Sequence, residues 1–162
     1  MFAKNNRMAQ ALTDGDNWNN LVKKRGYYAI VEGHLENAEG RITSYLKKNA
    51  QNMMYSSKKK GDGQYAITDY KIVSETKDYT LVDVDIKTGR KNQIRVHFGD
   101  LGHHIIGDDK YGEPANPLKR LGLHAYELDV VNPLNGKLMK FKAPMPKEFS
   151  LLMNEKYVKY NK

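Results

Sequence analysis

The chain has 162 residues, the length of one domain, and its 40% hydrophobic and 28% charged residues exclude extended disorder and allow a core. Cysteine is absent, which removes disulfides, thiolate nucleophiles and cysteine zinc sites together. Lys and Arg number 27 against 19 Asp and Glu, and the formal charge of +8 favours a polyanionic partner, nucleic acid first.

In chain order, no apolar run approaches the roughly 18 residues of a membrane span, so no membrane partner is expected. Lys4, Asn5, Asn6 and Arg7 stand where a secretory signal would need its apolar stretch, which makes the cytoplasm the expected compartment. Residues 7–25 read as helical with a break at Thr13-Asp14-Gly15-Asp16. Met8, Ala11 and Leu12 share a face before the break, and Trp18, Leu21 and Val22 share one after it. Asp16 or Asn17 is the expected cap of the second piece. A strand follows over 27–31, closed by Gly33, and another over 41–46, entered through Gly40. Residues 56–63 are polar, basic and glycine-punctuated, which predicts a loop.

Residues 65–73 and 79–86 resemble paired strands. In the second, Val82, Val84 and Ile86 point one way and Asp83 and Asp85 the other, as in a half-buried strand. Thr88-Gly89-Arg90 turns the chain into a helix over 91–101 with an apolar stripe of Ile94, Phe98 and Leu101. Strands over 123–131 and 137–141 flank the turn at 132–136, and a short helix over 147–157 closes the chain. Strands outnumber helices and run consecutively. The expected fold is α+β: one domain over 1–162, with a mixed, largely antiparallel sheet and flanking helices.

The densest polar constellation is Thr88-Gly89-Arg90-Lys91-Asn92-Gln93-Ile94-Arg95-Val96-His97. On a helix Asn92 and Arg95 share a face while Ile94 and Phe98 anchor the other. An arginine held that way offers a fixed fork of donors to a carboxylate or phosphate. The same spacing also suits a plain solvent-facing arginine. His97, beside the apolar stripe, reads as a hydrogen-bonded core histidine. His103 and His104 are adjacent and diverge, and no His-x-x-x-His spacing occurs, so no metal site is expected. Gly107-Asp108-Asp109 could bind a cation but suits an ordinary turn. Gly61-Asp62-Gly63 lacks the Gly-Lys-Ser/Thr ending of a phosphate loop. These residues describe a basic domain with one suggestive arginine helix. They do not name a reaction.

An ordered series of short segments does more. Phe2-Ala3-Lys4-Asn5, Tyr27-Tyr28-Ala29-Ile30-Val31-Glu32-Gly33 and Ala66-Ile67-Thr68-Asp69-Tyr70 come first. The segment 88–97, Gly102-His103-His104-Ile105-Ile106-Gly107-Asp108, Lys110-Tyr111-Gly112, Leu123-His124-Ala125 and Ala143-Pro144-Met145-Pro146 follow. Together, from Phe2 to about Phe149, the series resembles the RluA-type pseudouridine synthases.

The resemblance implies an isomerase that converts uridine to pseudouridine in structured RNA without metal or organic cofactor. A base would leave its stack for a pocket where an aspartate attacks the nucleoside covalently. Tyr27 matches the family tyrosine that packs on the base and helps remove the C5 proton. Arg95 matches the arginine that ion-pairs with the aspartate. Arg90, Asn92 and the basic loop Lys58, Lys59 and Lys60 are the expected RNA contacts. Ribosomal RNA of the large subunit is the expected substrate ahead of transfer RNA.

Two departures are small: Asn92 stands in place of the family's usual histidine and His104 in place of proline. The third concerns chemistry. The family's aspartate lies in a His-Arg-Leu-Asp-x-x-Thr-Ser-Gly motif just ahead of Phe-Ala-Lys-Asn, and these 162 residues do not contain it. Asp14, Asp16 and Asp108 lie in other sequence contexts. The expectation is a C-terminal portion of such an enzyme that is inactive alone. A non-catalytic RNA-binding module is the alternative. Self-association through the sheet edge that the missing N-terminal segment would leave exposed is also expected, since unpaired strand backbone invites a partner.

Overall fold

A computed structural model of the protein describes residues 18, 20–112 and 114–160. Its elements are β1 (Val22–Glu32), β2 (Glu39–Lys48), β3 (Met54–Ser57), β4 (Gln64–Glu75), β5 (Tyr79–Ile86), helix α1 (Gln93–Asp100), β6 (Leu123–Val131), β7 (Leu138–Lys142) and helix α2 (Lys147–Tyr160). The seven strands form one sheet in the order β3-β2-β4-β5-β1-β6-β7, and every neighbouring pair is antiparallel. This is the expected α+β arrangement, an antiparallel sheet with flanking helices.

Alternation places the core on both faces of the central strands. Ala29 and Val31 of β1 and Val82 and Val84 of β5 pack with Ile94 and Phe98 of α1. Ile30 and Leu81 point the other way, toward Phe149 and Met153 of α2. A strand buried on both faces must be apolar at successive positions, which Ala29-Ile30-Val31 supplies. A third cluster, Leu46, Met54, Ala66 and Val96, seats the far side of α1 on β2, β3 and β4.

Three sequence-based expectations are corrected. Residues 22–25 are not helical but open β1, because Val22, Lys24 and Arg25 pair with Val130, Asp129 and Leu128 of β6. Helical spacing in a short window yields to a ladder that only the folded chain offers. Residues 56 and 57 end β3, which pairs Met54–Ser57 with residues 45–48, so the loop spans only 58–63. Leu101 is 41% exposed at the C-cap of α1, and Val96, 5% exposed, contributes to the core instead. The expected helix over 7–17 and its caps lie outside the described residues.

Candidate active-site cleft

The start of α1 is fixed by one buried amide. Gln93 is 2% exposed, and its Oε1 accepts from Thr88 Oγ1 at 2.7 Å and from the Arg90 N–H at 3.1 Å. Its Nε2 donates to Ile67 O at 2.9 Å and to Thr68 Oγ1 at 2.8 Å. Four bonds tie the helix to β4 and to the turn before it. The backbone bond from Arg90 sets the amide's orientation, since an N–H requires the oxygen. Asn92 caps the helix at φ 56°, a left-handed conformation that asparagine tolerates better than most residues. Its Nδ2 donates to Tyr111 Oη at 2.9 Å.

His97 lies one turn on and faces the sheet. Thr68 Oγ1, already accepting from Gln93, donates to His97 Nδ1 across 2.7 Å. That leaves the proton on Nε2, which donates to Ser44 Oγ at 2.9 Å. Ser44 then meets Ser56 at 2.8 Å, and Ser56 donates to Asp100. These partners suit a neutral imidazole. Burial agrees, holding the His97 pKa down to about 4 against a weak opposing pull from Asp100. His97 is therefore the core histidine expected from sequence.

Arg95 projects from the opposite side of α1 to meet Asp108, a residue sequence reasoning passed over as a turn. Nη2 of Arg95 lies 2.7 Å from Asp108 Oδ1 and Nε lies 3.1 Å from Oδ2, a two-point fork. The aspartate side chain is fully buried, and the Lys110 and Tyr111 N–H groups also donate to its Oδ1, at 3.2 and 3.1 Å. Burial raises the pKa of this carboxyl. The bonds from Arg95 and the two N–H groups outweigh burial and leave it below the ordinary value. Gly107 makes the placement possible: its φ is +74°, and a Cβ there would come within 2.2 Å of Arg120 O. The neighbouring stretch is stitched to β1 by Ile106 N–H to Ile30 O at 3.0 Å and Glu32 N–H to His104 O at 3.0 Å.

Tyr27 is half-buried on the same face of β1 as Ala29 and Val31. Its pairing with β6 is irregular: Gly26 opposes Glu127 and Tyr27 opposes Ala125, so Tyr126 is left over as a bulge. Bulges re-aim side chains and recur beside active sites. Tyr27 and Arg95 border one cleft of about 160 Å³, together with Arg90, Asn92, Ile86 and Leu123. A water takes about 30 Å³ of liquid, so the space suits a heterocycle. Its walls are apolar from Ile86 and Leu123, cationic from Arg95 and Arg90, and amide-bearing from Asn92. Among the described residues no carboxylate lines it.

The structure thus brings together Arg95, Tyr27, Arg90 and Asn92. It does not bring in Lys58, Lys59 and Lys60, which are exposed on the turn between β3 and β4 and line neither this cleft nor its neighbour. His103 and His104 diverge, His103 Nδ1 meeting Glu32 O at 2.8 Å and His104 packing over Gly99 and Gly112. Among the described residues no group of three or more His, Asp or Glu is arranged to hold a metal, and no helix is long and apolar enough to cross a membrane.

Residues 1–100 match the family of RNA pseudouridylate synthases. An uncharacterized RNA pseudouridine synthase of Bacillus subtilis, YjbO, is 33% identical over 94% of this chain and 53% of its own length. The ribosomal large subunit pseudouridine synthase D of Zymomonas mobilis is 34% identical over 79% of this chain and 43% of its own. The chain spans about half the length of the curated relatives it matches. In fold it is similar to the human RNA pseudouridylate synthase domain containing 1, with a TM-score of 0.75 at 23% identity over 89% of this chain and 62% of that one. With the ordered motifs, the antiparallel sheet and the cleft in hand, the chain belongs to the RNA pseudouridylate synthases of the RluA type.

Proposed function

We propose that this protein serves the isomerisation of uridine to pseudouridine in RNA, with large-subunit ribosomal RNA as substrate ahead of transfer RNA. The observation that carries the reading is the single cleft shared by Tyr27 and Arg95 in a chain of this family. A flipped uracil would lie against the Tyr27 ring, and Asn92 offers an amide to its polar edge. The reaction needs a carboxylate to attack the nucleoside while the glycosidic bond breaks. The base then turns, C5 bonds the sugar as the carboxylate leaves it, and the C5 proton is lost while N1 gains one. Arg95 already spends Nε and one Nη2 proton on Asp108, which leaves its remaining donors for that second, attacking carboxylate. Large-subunit ribosomal RNA is favoured by the relatives named for it in Zymomonas mobilis and Borreliella burgdorferi.

Since no described carboxylate lines the cleft, we expect these 162 residues alone to bind RNA without turnover, as a binding module would. Tritium release from RNA carrying 5-tritiated uridine tests this. The chain alone should release none, and a fusion carrying the His-Arg-Leu-Asp motif ahead of Met1 should release label. Arg95→Met in that fusion should abolish release. A fusion still active with Arg95→Met refutes the role given to Arg95. Self-association is proposed at the sheet edge formed by β7, where Leu138 and Phe141 are 51% and 46% exposed. Sedimentation velocity showing only monomer at high concentration would exclude it.

A further inference from the structure

The sheet face turned away from α1 carries two uncovered tyrosines where β2, β3 and β4 run side by side. Register puts Tyr45 opposite both Ser57 and Tyr65, and Lys47 opposite Tyr55, so these five side chains share that face. The other face sends Leu46, Met54 and Ala66 into the cluster with Val96. Tyr55 and Tyr65 are each 43% exposed, and the Tyr65 ring leans on that of Tyr45 with centroids 5.0 Å apart. Neither exposed ring is spent on the core.

The basic turn 58–63 is fastened to this face. It joins β3 to β4, which flank β2 on opposite sides, so it has to cross β2. Asp62 ties the crossing down, accepting from Lys47 Nζ at 2.6 Å and from Ser57 Oγ at 2.8 Å, both on the tyrosine face. A Cβ on Gly63, whose φ is +124°, would come within 2.6 Å of Leu46 O, so only glycine lets the turn lie this close. Residues 45–65 hold five lysines and one aspartate, half of the formal surplus of +8. Lys47 takes that aspartate, and among the described residues Lys48, Lys58, Lys59 and Lys60 have no ion pair. Farther along the same face the charges are matched, Arg41 with Asp69 at 2.7 Å and Lys87 with Asp85 at 2.8 Å. Unmatched cations therefore gather beside the two exposed rings.

We propose that Tyr55 and Tyr65, with Lys58, Lys59 and Lys60, form a second RNA-docking surface that takes a single-stranded stretch flanking the uridine in the cleft. The assignment rests on the RNA reading above and extends it to the opposite face of the sheet. The lysines select a polyanion. The tyrosines select one with unpaired bases, which stack on aromatic rings whatever their sequence, whereas a duplex keeps its base faces to itself. Arg90 joins the two surfaces: its Nε donates to Tyr65 O at 3.1 Å, and it lines the cleft with Tyr27 and Arg95. A strand leaving the cleft past Arg90 meets Tyr65 next and stays clear of the hollow that Asp69, Asp83 and Asp85 line.

The test uses the chain as it is and labelled RNA hairpins read by fluorescence anisotropy. The bare hairpin ends in one unpaired uridine, at its 5′ or its 3′ end. The tailed hairpin continues beyond that uridine for about eight cytidines, within the usual span of a single-strand site. We expect the tail on one of the two ends to tighten binding about tenfold, the scale of a base stacked on an aromatic ring. Tyr55→Ala or Tyr65→Ala should remove most of that gain and leave the affinity for the bare hairpin unchanged. Tyr65→Phe, which keeps the ring, should retain it, and a tail of abasic sugars should behave like the alanine variants. Replacing Lys58, Lys59 and Lys60 together by Ala should lower the slope of log affinity against log salt by about 2 for the tailed hairpin only, at roughly 0.7 per contact. If the unaltered chain binds no hairpin, bare or tailed, the RNA reading fails and the docking surface with it. If the bare hairpin binds and neither tail helps, or the gain survives the tyrosine and lysine variants, the docking surface is wrong and the RNA reading stands. Sedimentation without RNA that shows dimers lost in Tyr55→Ala would give this face to a second copy of the chain and overturn the proposal as well.

Discussion

The rim of the cleft and the outer surface of the sheet carry nearly the same arginine–aspartate fork. Arg95 meets Asp108 at 2.7 and 3.1 Å, and Arg41 of β2 meets Asp69 of β4 at 2.7 and 2.9 Å. Bond lengths would rank them as equals. Their settings differ: the side chains of Arg95 and Asp108 are 19% and 0% exposed, those of Arg41 and Asp69 57% and 29%. In the open pair, water competes for every bond, and two long side chains lose freedom for little gain. In the enclosed pair the aspartate has no water to return to and the arginine little, so removing one leaves the other poorly solvated. The same geometry therefore orients a cleft-lining guanidinium in one place and decorates a strand pair in the other.

Breaking the enclosed fork should have the largest effect. Asp108→Asn removes the charge at nearly constant volume, and urea unfolding should show a loss of about 3–5 kcal/mol. A midpoint unchanged within error would mean that Arg95 is held by other contacts. Next comes acidity, acting through the buried imidazole on the same helix. The His97 pKa lies near 4 in the fold and near 6.5 when unfolded, so the unfolded chain takes the proton first. Its stabilisation is complete above about pH 6.5 and declines as pH falls toward 4, by about 3 kcal/mol in all. The Asp108 contribution survives that window, because its lowered pKa is lost only at still lower pH. Urea midpoints measured from pH 7 to 4 should slope downward, and His97→Gln should flatten that slope. The smallest effect sharpens the comparison: Asp69→Asn should leave the midpoint unchanged within error in high salt. A loss there matching Asp108→Asn would show that exposure does not separate the two forks.

Local pattern was legible where one strand face meets the core. The alternation of Val82, Val84 and Ile86 against Asp83 and Asp85 gave the limits of β5 directly, and the Asn132–Gly136 turn marked the end of β6 and the start of β7. It failed where the decisive partner lies far along the chain. Val22–Arg25 carries a helical spacing and becomes strand because β6 waits beside it. Met54–Ser57 is too short and polar to announce a strand and forms one against β2. The ordered motifs pointed to Arg95 and Tyr27, whereas nothing local marked Asp108 as the arginine's partner or Gln93 as the pin of the helix. A turn-like Gly-Asp pair and a glutamine at a helix start look the same when exposed. A single signal was available for Asp108: a glycine directly before it, following the apolar pair Ile105-Ile106.

From residue types and their order alone came the basic character, the α+β class, the family and the arginine helix, because charge, alternation and motif order are properties of the chain read locally. Folding alone decided which groups share a cavity. Tyr27, Arg90 and Arg95 converge only after β1 has paired between β5 and β6 and Gln93 has fixed α1 against β4. Arg25, whose guanidinium rests on the backbone of Gly89, lines one hollow with Arg90 only after the strands have paired. Proximity between residues distant in sequence is set by strand order and burial, and no window of sequence contains either.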